Sequence, residues 1–266
     1  MSSKAAERPW TLVTGASSGI GAEYARRLAS MGYNVIGVAR RADRLEALAQ
    51  ELAGGGGAMR QLVADLSTHE GIDAVAAVCR DEAIEMLVNN AGEGRYGAFA
   101  EVSADDLSGL LELNAHAPIA LSRAALPGML VRGRGDIVNV SSMFAFTGSI
   151  GGPLPKRAVY AGTKRLLVTF SQLLATEVAG TGVRVQALCP SIVTTEFHAK
   201  VGADLSGRPQ TGPDVVVTAS LRGLDRGEVV CAPVLPDLMP LERAFEAESE
   251  LFAASRSDQL AERYRD

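Results

Sequence analysis

The stretch AVYAGTK (158–164) sets a phenol and an ammonium four positions apart, where the pattern turns helical. Tyr160 and Lys164 therefore share a helix face, one turn apart. A free phenol titrates near about 10, too high for a base at neutral pH. A neighbouring cation favours the phenolate and lowers that value. Tuned in this way, Tyr160 can give a proton to a carbonyl oxygen or take one from an alcohol. The bland alternative is an exposed polar pair on a solvated helix.

A second constellation lies near the N-terminus. TGASSGIG (14–21) falls between a strand-like run and a helical one. Gly15, Gly19 and Gly21 let the backbone turn tightly and approach a ligand closely. The helix that starts there points free N–H groups and its positive end at whatever lies above, which suits a pyrophosphate. Ser17, Ser18 and Ile20 complete the candidate phosphate turn. The spacing is GxxxGxG rather than the usual GxGxxG dinucleotide fingerprint. A tight turn without a ligand is the competing reading.

The end of the next strand bears on the choice of dinucleotide. NAD enzymes usually carry an acidic residue there for the ribose hydroxyls. Here NVIGVARRADRL offers Ala39, then Arg40 and Arg41. Guanidinium groups suit a 2′-phosphate. Cations are also mildly unfavourable at a helix N-terminus, which makes a bound anion the better explanation. NADP(H) is therefore expected in preference to NAD(H).

With TGASSGIG, NNAG (89–92) and YAGTK in that order, the chain resembles the short-chain dehydrogenase/reductase family from about Trp10 to Cys231. The resemblance implies hydride transfer between NADP(H) and a carbonyl/alcohol group of a small or medium apolar substrate. Tyr160 would be the general acid/base. Ser142, the second serine of NVSS, matches the family's catalytic serine. Asn114, in ELNAHAP, matches its structural and relay asparagine, and Lys164 matches the family's lysine, which also binds the nicotinamide ribose. Asp65, with Leu66 beside it in VADLS, matches the adenine contact, although Asp65 could instead cap a helix. Asn90, Ala91 and Gly92 match the element that lines the adenine ribose. In CPSIVTTEF, Pro190, Ile192 and Thr195 match contacts to the nicotinamide carboxamide and the pyrophosphate.

Two departures stand out. Ser191 occupies a position that is usually glycine, which puts the local turn in question. The loop from Ser142 to Tyr160 is longer than usual. Loops 93–99, 143–158 and 191–212 are expected to shape the substrate pocket. Phe99, Met143, Phe144, Phe146, Leu154 and Phe197 give them an apolar, partly aromatic character. A non-catalytic NADP-binding sensor on the same fold is the main alternative, and retention of Asn114, Ser142, Tyr160 and Lys164 argues against it. Isomerases and dehydratases of this fold generally have longer chains with a substrate domain.

These residues need a scaffold that gathers strand ends. Val/Ile/Leu-rich runs alternate with helical stretches, with little polar alternation inside the strands. That is the pattern of a parallel sheet buried on both faces. The expected fold is α/β: one doubly wound, Rossmann-type domain of about seven strands over residues 1–266. Such sheets bind ligands at the carboxyl ends of their strands. A long helix is expected over roughly 104–131, another over 158–179, and a charged helical tail over 237–264.

The chain has 266 residues, 47% of them hydrophobic, and a formal net charge of −5. That charge disfavours nucleic acid or an anionic membrane as partner. No apolar run is long enough to span a bilayer, and MSSKAAERPW lacks the apolar core of a signal peptide, so a cytoplasmic protein is expected. Cys79, Cys189 and Cys231 are odd in number and far apart, which suggests buried thiols rather than disulfides. His69, His116 and His198 are also scattered, so no metal is expected. The 158–179 helix carries more apolar residues than one core-facing stripe needs. Leu166, Leu167, Phe170, Leu173 and Leu174 suggest a homodimer or homotetramer through this helix and 104–131, unless the C-terminal tail covers them.

Overall fold

Seven parallel strands form one sheet in the order β3-β2-β1-β4-β5-β6-β7. They are β1 (Trp10–Thr14), β2 (Asn34–Ala39), β3 (Met59–Val63), β4 (Ile84–Asn89), β5 (Gly135–Val140), β6 (Val183–Leu188) and β7 (Val230–Cys231). The computed structural model describes residues 8–54, 58–150, 156–197, 205 and 207–265. Among the described residues no helix is long and apolar enough to cross a membrane. The chain divides into two compact units, Met1–Pro233 and Val234–Asp266.

Within the first unit, successive strand side chains point to opposite faces of the sheet. Leu12 of β1 joins one fully buried cluster, with Ile72, Leu121 and Leu174. Its neighbour Val13 joins the other, with Tyr24, Leu45 and Val216. Covering both faces explains why the strands lack polar alternation. The first cluster packs under α3 (His69–Asp81), α5 (Ala117–Arg132) and α6 (Ala158–Glu177). The second packs under α1 (Gly19–Ser30), α2 (Ala42–Ala53) and α7 (Pro213–Asp225).

The expected 104–131 helix is three consecutive pieces. α4 (Ala104–Leu111) passes into a π-helical turn, Glu112–His116, and then into α5. The second unit contains α8 (Met239–Ala254) and a 3₁₀ turn at Glu262–Tyr264. Residues 237–264 are thus only partly helical: 255–261 interrupt the expected run.

The order of strand addition reverses between the parallel neighbours β1 and β4, where connections leave to opposite sides. Such a switch point leaves a crevice beyond the strand ends. The two strands are stitched together there. Thr14 Oγ1 accepts from the N–H groups of Asn90 and Ala91, both at 2.9 Å. The side-chain amide of Asn90 donates to the Thr14 carbonyl at 2.9 Å. Below them, buried Asn89 donates to Asn139 at 2.8 Å, and Asn139 to Ser171 at 2.9 Å. This polar row joins β4, β5 and α6.

Gly21 lies against this stitch. A Cβ there would press into the Gly15 carbonyl and the Asn90 amide nitrogen. Gly21→Ala is expected to cost about 1–3 kcal/mol, the usual scale of overpacking, read as a lower urea midpoint. An unchanged midpoint would contradict this packing.

Candidate active site

A cleft of about 430 Å³ opens above the switch point. Its floor begins with the glycine turn. Gly15 and Gly19 have φ of +67° and +55°, a region that side chains rarely adopt. A Cβ on Gly15 would stand 2.6 Å from the Asn90 amide nitrogen, and one on Gly19 would stand 2.8 Å from Thr195 Cγ2. Ser18, the N-cap of α1, makes no side-chain cap bond, and the first turn holds no acidic residue. The turn is thus a bare, close-approach surface at a positive helix end, fitted to a phosphate.

Ser17, Ser18, Ile20, Arg40 and Arg41 line the same cleft. Arg41 is well engaged: its guanidinium donates to Ser17 and Ser18, both at 2.9 Å from Nη2, and to Glu196 at 2.9 Å. Arg44 also donates to Glu196, at 2.5 Å. The two arginines hold the Glu196 carboxyl down to about 2. Arg40 is less committed, 3.8 Å from Asp65 Oδ2. Burial alone would raise Asp65, but hydrogen bonds from Ser67 and the Arg40 charge bring it below the usual carboxylate range.

Asp65 is not the α3 cap. Thr68 takes that role, its hydroxyl accepting from Gly71 N–H at 3.1 Å. Asp65 and Leu66 instead line the cleft, with Asn90, Ala91 and Gly92 across from them. Pro190, Ile192 and Thr195 line its far side. Ser191 lies among them without strain, since no described non-glycine residue has positive φ. The turn therefore does not require the glycine usual at this place.

Ser142, Tyr160 and Lys164 meet at the inner end. Ser142 caps a 3₁₀ turn, Met143–Phe146, its Oγ accepting from Phe144 N–H at 3.1 Å. The end of β5 is fixed to α6, because Ser141 Oγ donates to the Lys164 carbonyl at 2.7 Å. Lys164 is buried, and its Nζ donates to the Val140 carbonyl at 2.8 Å. Burial disfavours the ammonium and lowers it to about 8, with Cys189 opposing weakly. Nζ lies 5.7 Å from the Tyr160 ring centroid.

Tyr160 differs from the sequence-based expectation. Burial pushes its phenol up; neighbouring Tyr96 adds to this, and a hydrogen bond with Ser142 draws it partly back. The protein alone keeps it a neutral acid, because desolvation outweighs the hydrogen bond with Ser142.

Two expected residues sit behind the cleft wall rather than in it: Gly21 and Asn114. Asn114 is buried on the π turn. Its Oδ1 accepts from Glu93 N–H at 2.9 Å and its Nδ2 donates to the Glu93 carbonyl at 2.8 Å. The side chain therefore pins the loop after β4, accepting one bond from that backbone and donating one to it.

The aromatic wall is also rearranged. Met143, Phe144 and Phe197 line the cleft, but Phe99 is 62% exposed elsewhere and Phe146 stacks under Arg165 at 5.5 Å. Leu154 and residues 198–204 lie outside the described residues. Tyr96, which the sequence does not single out, packs edge-on against Tyr160 at 5.8 Å and Phe144 at 6.0 Å. Its hydroxyl is buried with no hydrogen-bond partner and is pushed up to about 12 by burial. The only signal for it was its place in EGRYGAF, a segment expected to shape the pocket.

Comparison with known proteins supplies the context for this cleft. Residues 9–206 match the family model for short chain dehydrogenase. A fatty acyl-CoA reductase of Mycobacterium tuberculosis is 37% identical over 196 residues, 72% of this chain. That match spans 65% of the reductase, just under two thirds of its length. A short-chain dehydrogenase from Sphingobium yanoikuyae, solved in complex with NADPH, superposes with a TM-score of 0.90 at 36% identity, covering 96% of this chain and all of that one. A bulky-bulky ketone specific alcohol dehydrogenase from Comamonas testosteroni gives 0.87 at 32% identity, covering 97% of this chain and 99% of that one.

Proposed function

The chain belongs to the short-chain dehydrogenase family, and on that premise we propose that it is an NADP(H)-dependent oxidoreductase interconverting a carbonyl and an alcohol on a small or medium apolar substrate. The observation that carries this reading is the convergence of Ser142, Tyr160 and Lys164 on the cleft that also holds the glycine turn and the arginines. A binding protein without catalysis has no need of the first three.

The cradle at Gly15 and Gly19, the uncapped end of α1 and the Arg40/Arg41 pair fit a phosphorylated dinucleotide. Bound there, NADP(H) supplies hydride chemistry. The rest belongs to the chain. Tyr160 Oη holds the proton and passes it to the substrate oxygen during reduction. Its raised pKa keeps it protonated, as an acid must be. Ser142 Oγ hydrogen-bonds the same oxygen and steadies its developing charge. The Lys164 ammonium stabilises the phenolate left behind, and Val140 keeps it in reach. Phe144, Phe197 and Tyr96 exclude water and receive an apolar group. Screening ketones, aldehydes and acyl thioesters for NADPH consumption tests the reading.

The outer face of α6 supports an assembly through copies of the chain. Leu167 and Leu174 point into the core, whereas Leu173 is 61% exposed and Leu166 40%. Val131, near the end of α5, is 89% exposed. A two-fold contact would use such a patch twice.

Three outcomes are expected. NADPH binds more tightly than NADH in fluorescence titrations, and Arg40→Ala removes most of the difference; equal wild-type affinities would contradict the cofactor assignment. Tyr160→Phe keeps cofactor binding while turnover falls by about 10²-fold or more; wild-type turnover on a true substrate would remove Tyr160 from the acid role. Light scattering gives a dimer or tetramer mass, and a single-chain mass at micromolar concentration would sink the assembly.

A further inference from the structure

Two of the three histidines meet outside the cleft. His69 opens α3, while Glu112 and His116 lie one turn apart on the π turn. His116 Nδ1 is 2.5 Å from Glu112 Oε2, and His69 Nε2 is 3.6 Å from Glu112 Oε1. The imidazole rings stand edge-to-face with centroids 5.5 Å apart. One ligand atom from each of the three residues falls within a 4.8 Å span. The scattered sequence positions gave no hint of this cluster.

We propose that His69, Glu112 and His116 form a binding site for a divalent transition-metal ion of the zinc class. Two imidazole nitrogens and one carboxylate oxygen are the donor set such ions prefer, with water completing a tetrahedron. Calcium and magnesium favour all-oxygen shells and are disfavoured. Bonds of about 2.0–2.2 Å put neighbouring tetrahedral ligands about 3.4 Å apart. The observed separations, 2.5 Å to one carboxylate oxygen and 3.6 Å to the other, lie on both sides of that value, so modest rotations of the exposed imidazoles and of the carboxylate bring three donors to one ion. An ion pair alone explains the site poorly. The Glu112–His116 contact is complete within one helical turn, yet a second imidazole from another helix faces the other oxygen.

The location gives the ion a role. The π turn carries Asn114 on its buried side, and the loop leading into His69 carries Asp65 and Leu66, which line the cleft. An ion here clips these two segments together from behind. The three ligands are positioning residues: none of them lines the cleft.

The test is calorimetric titration of zinc chloride into the tag-free full chain in a non-chelating buffer, with thermal melts alongside. One equivalent should bind with a micromolar dissociation constant and raise the melting temperature, because the ion favours the folded state. His69→Gln and His116→Gln should each weaken binding on the order of tenfold or more. Cobalt(II) bound to the wild type should show visible absorption of a nitrogen/oxygen tetrahedral site, a readout that needs no variant. Absence of binding at millimolar zinc would overturn the proposal. So would undiminished binding in the double variant, a thiolate charge-transfer band with cobalt, or preference for calcium over zinc.

Discussion

Lys164 is an ammonium held where water cannot solvate it, and much of the catalytic end of the molecule is arranged to make that tolerable. A buried charge without partners is very costly. This one is met by the Val140 carbonyl at the tip of β5. For that bond to form, α6 must lie close on the sheet, and Ser141 holds it there through the Lys164 carbonyl. The same helix then presents Tyr160 one turn earlier, and β5 presents Ser142 two residues beyond Val140. The geometry of acid, hydroxyl and cation thus follows from seating one lysine.

Burial acts on the two titrating groups in opposite senses: it pushes the phenol up and the ammonium down. Both shifts favour neutral groups, so the site is poised between a protonated phenol and a readily lost ammonium proton. Aromatic neighbours maintain this state. Tyr96, Phe144 and Phe197 surround the Tyr160 ring at 5.8 to 6.2 Å. Across the cleft the logic is the reverse. Arg41, Arg44 and Glu196 are a surface network whose charges are screened by solvent and contribute little to stability. They instead tie the loop after β6 to the start of α2.

The sheet was legible in the sequence because a strand buried on two faces leaves a largely apolar run, as in β1, β2 and β4; the edge strand β3, MRQLV, is half-exposed and was read from its place between two helical stretches. Also legible were the glycine turn and the Tyr160–Lys164 pair, whose geometry is local. What escaped depends on distant contacts or on backbone detail. The π turn at Glu112–His116 has ordinary helical residues, and only its hydrogen bonding separates it from an α-helix. Phe99 and Phe146 lie on short 3₁₀ turns and Tyr96 in a loop, where residue type does not tell which aromatic faces the cleft. The Tyr160 phenol was expected to be lowered because Lys164 was visible and the depth of burial was not. Asp65 was ambiguous between cap and ligand until Thr68 took the cap. His69 meets Glu112 and His116 only because α3 packs beside the π turn.

The depressed lysine is the central physical claim, and it can be measured directly. NMR titration of the protein with carbon-labelled lysine, using Lys164→Arg to assign the signal, gives the pKa of Lys164 in the folded chain. The account predicts a value of about 8, against the ordinary 10.5. Folding then favours the neutral amine: Lys164 lends its stability at pH above the ordinary value and loses it as pH falls through about 8. An ordinary value near 10.5 would show that burial does not depress Lys164, and would contradict this account of the catalytic end.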